Sequence, residues 1–200
     1  MIFIIDLVAE RSVLRESLKG IIWTIFFNRL FGPVTPVTNE FMNVTYPLAS
    51  NLPDLDSLID EKINKFIHSL TESSNRGKIE VQFLSKSSNK KKTGWFSNST
   101  YIDKEELKVW EVWRIDIEVL PLDQTNSNTQ KSIRNFESNM GKVYDIIDKY
   151  KEHIPPITTL DSAPFPYKIL IPDLNHTTDQ ATQTHEGEEG WGTYIKKILD

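Results

Sequence analysis

From Arg11 the chain reads RSVLRESLKGIIWTIFF, a stretch that is apolar on almost every side once it is wound as a helix. Leu14, Leu18, Ile21, Ile22, Ile25 and Phe26 recur at helical spacing, and Trp23 and Phe27 fill the remaining face. Such a helix has no side to turn to water, so other elements have to surround it. This predicts a fold built around a central helix. Gly32, Pro33 and Pro36 in FGPVTP end it, by geometry and by missing backbone donors. The continuous apolar run GIIWTIFF meets Asn28 and Arg29 at once and falls far short of the ~20 residues that a membrane span needs.

The surrounding elements are legible in outline. IFIIDLVAE, at the start, reads as a strand. Pro53 and Asp54 open a second helix with an apolar stripe of Leu55, Leu58, Ile59, Ile63, Phe66, Ile67 and Leu70. KIEVQFL alternates strictly, with Ile79, Val81 and Phe83 on one face. In WRIDIEVLPL, Trp113, Ile115, Ile117 and Val119 alternate in the same way. Trp110 and Val112 fall in the opposite phase, which predicts a bulge. These two strands are expected to pair antiparallel. A third helix spans roughly Gln130 to Lys151, striped by Ile133, Phe136, Met140, Val143, Tyr144, Ile147 and Tyr150. IPPITTLDSAPFP breaks it, and YKILI is one more short strand. Residues 172–190 read as a mobile loop, and WGTYIKKILD closes the chain with apolar residues expected to dock on the core. The whole is expected to be one domain, 1–200, with a protruding loop at 85–108.

Composition narrows the function classes. The net charge is -5 and the basic residues are scattered apart from Lys90 to Lys92, so the chain lacks the electrostatic footprint of a nucleic-acid binder. With no cysteine there are no disulfides, thiolate metal sites or cysteine nucleophiles. Three sequons, at Asn43, Asn98 and Asn175, carry little meaning because MIFIIDLVAERS is not a signal peptide. A cytoplasmic protein is the expectation.

No catalytic constellation stands out. Gly77-Lys78 and Gly141-Lys142 lack the rest of a phosphate loop, and no Gly-x-Ser-x-Gly is present. His68, His153, His176 and His185 have no fixed local partner. His185 with Glu186, Glu188 and Glu189 reads as a solvated acidic loop before it reads as a metal site. Asp54, Asp56, Asp60 and Glu61 are the acids that a first helical turn favours, and Trp110 and Trp113 read as packing residues. No cofactor or metal, and no enzyme activity, is expected.

Lys90 to Thr100, KKKTGWFSNST, sets two aromatic side chains among polar and small neighbours. Either Trp95 and Phe96 fold back onto their own sheet, or a partner covers them. With Lys90, Lys91 and Lys92 beside them they also suit an anionic membrane surface. KKKTGWFS followed by VWEVWRIDIEV, with the buried first helix and VTYPLASNLPDLDSLIDEKINKFIHSL, resembles the autophagy-related protein 101 family over most of residues 1–151. That resemblance implies a HORMA domain, an α+β fold with three central helices on an antiparallel sheet. It implies a non-enzymatic scaffold in the autophagy-initiation kinase complex, recruited to the phagophore assembly site, which pairs with and stabilises the HORMA domain of autophagy-related protein 13. It also implies that Trp95 and Phe96 form a finger for downstream autophagy factors. HORMA dimers usually pair through the last central helix, which points to its polar face, including Arg134, Asn135, Glu137, Ser138, Lys142 and Asp145.

Overall fold

The structure is a computed structural model that describes residues 1–70, 75–87, 106–157 and 165–172. Among the described residues nine elements follow in order: β1 (Ile2–Glu10), α1 (Leu14–Phe27), β2 (Pro36–Phe41), β3 (Val44–Ala49), α2 (Pro53–Ser69), β4 (Arg76–Ser87), β5 (Glu106–Leu120), α3 (Ser127–Lys149) and β6 (Tyr167–Leu170). Four strands form one sheet in the order β1-β5-β4-β6. β4 pairs antiparallel with β5 and with β6, as alternation predicts for the first pair, whereas β1 runs parallel to β5. The sheet is therefore mixed rather than purely antiparallel, because α1 and the elements after it carry the chain away before β5 returns beside β1.

The inner face of this sheet, with Phe3, Ile5, Leu7, Ile79, Val81, Phe83, Trp113, Ile115 and Ile117, lies against the helices in one buried core. α1 is buried on nearly every side, as its composition demands. Phe26 meets the rings of Phe83 and Tyr167 on the sheet at 5.5 and 4.8 Å. On its other side Gly20 lets the rings of Phe136 and Tyr46 close in; a Cβ built there would stand 2.8 Å from Phe136 Cζ. Tyr46 belongs to an element that periodicity did not announce, the β2-β3 hairpin. Its strands contain Pro36 and Pro47, and its turn residues Met42 and Asn43 both take left-handed φ, 52° and 63°. Neither is the glycine that usually marks such a turn. Packing holds the hairpin: Phe41 sets its ring edge-on to Phe136 at 5.5 Å, and Tyr46 is fully covered.

On the outer face of the sheet the charges are paired across strands. Arg76 reaches Glu118 at 3.1 Å and Arg114 reaches Glu80 at 3.0 Å, which is the sheet's counterpart of helical i,i+4 pairing.

Candidate functional site

α3 starts three residues earlier than the sequence suggests, at Ser127. Asp123 organises the turn before it, accepting from the Thr125 amide at 3.0 Å and from the Thr125 hydroxyl at 2.6 Å. Those two bonds hold the Asp123 carboxyl below its ordinary range. The helix then presents three surfaces. Phe136, Met140 and Val143 face the core. Tyr144, expected on that stripe, is 42 % exposed instead, because it lies on the flank of the helix.

Beside the apolar face runs a polar seam that serves the edge of β1. Ser132 Oγ accepts from the Glu10 amide at 2.7 Å, and Asn135 Oδ1 accepts from the Val8 amide at 2.8 Å. Asn139 Nδ2 donates to the Asp6 carbonyl at 2.9 Å and to Asn135 Oδ1 at 2.9 Å. Among the described residues β1 is the outer strand of the sheet, so these groups have no neighbouring strand there to bond. Helical side chains supply the partners, which also blocks another strand from pairing there. The third surface faces water. Arg134, Glu137, Ser138, Lys142 and Asp145 are exposed on it, and Lys142 lies 3.6 Å from Asp6. Of the six residues expected on the polar face, Asn135 alone is half-buried, with its amide group committed to β1.

A second polar centre lies inside the molecule. The predicted bulge is present: Phe83 pairs with Glu111 and Leu84 with Val109, so Trp110 is the extra residue. The slip turns both Trp110 and Glu111 inward. Glu111 is 0 % exposed and Arg29, just past the end of α1, is 2 % exposed. Arg29 Nε donates to the two Glu111 carboxylate oxygens at 2.9 and 3.1 Å, Trp113 Nε1 donates to Oε1, and His153 Nε2 lies 2.6 Å from Oε2. Arg29 also reaches the Tyr150 carbonyl at 3.4 Å. Rings of Phe3, Trp110, Tyr150 and Phe165 wall the cluster. It ties the end of α1, the bulge and the chain leaving α3 to one point. Sequence reasoning missed it because its members are 82 and 42 positions apart. The one local signal was the phase slip at Trp110.

The other histidine and acidic candidates resolve as structure. His68 does have a local partner, the Asn64 carbonyl at 2.7 Å, one helical turn back. Asp56 and Asp60 are not merely first-turn acids: Lys19 lies 2.9 Å from each, and Trp23 Nε1 donates to Asp56 at 2.8 Å, fastening α1 to α2. Among the described residues no group of His, Asp and Glu is gathered that could hold a metal ion, and no helix is long and apolar enough to cross a membrane.

Trp95, Phe96, Lys90, Lys91 and Lys92 lie outside the described residues, as do His176, His185 and the chain from residue 173. The root of the aromatic segment is described. β4 and β5 extend into the span expected to be loop and stay paired as far as Ser87 and Glu106, so the intervening segment leaves and returns at one place. Ile2, Ile4, Leu107 and Val109 are exposed apolar residues on β1 and the nearer part of β5.

Three helices on one face of this mixed sheet, with α3 closing the edge of β1, form an α+β domain of HORMA type. The model of the family described as autophagy-related protein 101 matches residues 6–161, well over half of the chain. The chain belongs to that family. Autophagy-related protein 101 of Arabidopsis thaliana is 26 % identical over 191 residues, covering 84 % of this chain and 84 % of its own. The protein of that name from Schizosaccharomyces pombe is 23 % identical over 185 residues, covering 92 % of this chain and 86 % of its own.

Proposed function

We propose that this chain is a non-enzymatic, cytoplasmic scaffold of autophagy initiation. It binds and stabilises the HORMA domain of autophagy-related protein 13 in the initiation kinase complex, and it recruits later factors to the phagophore assembly site through Trp95 and Phe96. The observation that carries the reading is the division of labour on α3. Its inner and lateral sides are spent on the core and on β1, while Arg134, Glu137, Ser138, Lys142 and Asp145 stand exposed. A charged surface on a firmly seated helix is rigid enough to give specificity to a partner.

The test is co-purification with the HORMA domain of autophagy-related protein 13, with light scattering for the mass of the complex and melting curves of both proteins apart and together. A one-to-one complex that melts above the partner alone is expected, since whatever binds the native state stabilises it. Absence of a complex overturns the reading. A second reading is favoured by exposed Leu107 and Val109 at the root of the lysine and aromatic segment. In that reading the face rests on an anionic membrane, and flotation with acidic liposomes that weakens with salt supports it.

A further inference from the structure

We propose that Gly141 is where a helix of the partner comes closest to α3, and that this one residue sets which helices the α3 surface accepts. The proposal rests on the reading of that surface given above. Gly141 is exposed and lies well inside α3, with helical residues before and behind it. Glycine there weakens a helix relative to alanine, so its presence calls for a reason. At Gly20 and Gly77 the reason is internal, because a Cβ would run into the rings of Phe136 and Phe66. At Gly141 a Cβ would meet nothing within 4 Å, and the backbone is ordinary helix. Neither the packing nor the backbone of this domain asks for glycine at that position. A neighbour packed against the outside of α3 does, since the side chains at the contact set how near two helix axes can come.

The residues around Gly141 fix the chemistry of that neighbour. Glu137 and Asp145 stand one turn to either side of it and Arg134 two turns before it, all exposed. Their side chains have no ion pair or hydrogen bond among the described residues, whereas Lys142 lies 3.6 Å from Asp6 and Asp148 is paired with Lys151. Tyr144, three residues on and exposed, gives the bare patch an aromatic wall. Arg134 and Asp145 are ~16 Å apart along the axis, a distance that a helix laid lengthwise can match and one side chain cannot. The occupant is therefore a helix along α3, with an apolar side chain seated over Gly141 against Tyr144, an acid toward Arg134 and bases toward Glu137 and Asp145. A second copy of α3 does not fit. Laid antiparallel across Gly141 it sets Glu137 against Asp145, and laid parallel it sets each charge against itself.

The test uses the full chain with Gly141→Ala, Gly141→Gln or Asp145→Lys, titrated calorimetrically with the HORMA partner proposed above, and a melting curve of each variant alone. Gly141→Ala is expected to weaken pairing about fivefold and Gly141→Gln at least about fiftyfold, because added atoms hold the two helices apart. The same changes are expected to raise the melting temperature of the unpaired chain, since both residues favour helix over glycine. A glycine that served only the fold would move stability and pairing in the same direction. Asp145→Lys is expected to weaken pairing about fivefold at low salt and less at high salt. If the wild type pairs and Gly141→Gln pairs within about twofold of it, the proposal is overturned while the pairing itself stands. Weaker pairing that comes with a lower melting temperature of the Gly141 variants overturns it too, and so does indifference to Asp145→Lys. A wild type that does not pair removes the reading of the α3 surface, and this proposal with it.

Discussion

Glu111 shows how much a single side chain can hold. It sits without solvent exposure among Arg29, Trp113 and His153, so removing it strands a buried guanidinium, and removing Arg29 strands a buried carboxylate. Breaking one side of such a pair costs about 3–5 kcal/mol, whereas replacing both partners by apolar residues of similar volume can be close to neutral. Glu111→Ala is therefore expected to lower stability by about 3–5 kcal/mol in urea unfolding. Arg29→Met with Glu111→Leu should cost less than the two single changes added together. Additive losses would mean that the pair is not coupled. Lys19 gives a prediction with a pH sign. Burial by itself lowers its pKa, but the hydrogen bonds and charges of Asp60 and Asp56 outweigh that and hold it above the ordinary lysine range. A cation whose pKa is raised on folding contributes fully below its unfolded value and loses that contribution as pH rises through its folded value. Melting temperature is thus expected to fall more steeply above about pH 10.4 in the wild type than in Lys19→Met, with no such difference between pH 6 and 8. Tyr46, raised by burial, adds to the alkaline loss in both proteins.

At the scale of elements, two features depend on side chains that a pattern of apolar residues does not reveal. The seam of α3 is built from Ser132, Asn135 and Asn139, polar residues that helical periodicity assigns to a solvated flank. Their role follows from the outer strand they meet. Ser132→Ala should leave the buried Glu10 amide without an acceptor and cost about 1–3 kcal/mol, with faster hydrogen exchange at Glu10. Exchange unchanged at that amide would show that the seam does not protect the edge. The β2-β3 hairpin is the other feature. Its strands alternate poorly and carry prolines, so burial of Phe41 and Tyr46 has to supply what strand propensity does not. Met42 pays for its left-handed backbone, and Met42→Gly is expected to raise stability by roughly 0.5–1 kcal/mol.

For the whole molecule, the prediction concerns Trp95 and Phe96. If they form the proposed exposed finger, their joint change to Ala should leave the melting temperature and pairing with the proposed HORMA partner nearly unaltered while abolishing recruitment of later factors. A large loss of stability would place the rings in the core. The sequence by itself determined the central helix, the amphipathic second and third helices, the β4-β5 pair and even the slip at Trp110. Each of these is written in the spacing of neighbouring residues, because burial of a helix stripe or a strand face is a local periodicity. Only the tertiary structure decided the parallel place of β1, the hairpin behind α1, the partners of Glu111 and the commitment of Asn135 to β1. Those features join residues far apart in the chain, and a polar side chain facing a distant backbone group has the same local spacing as one facing water.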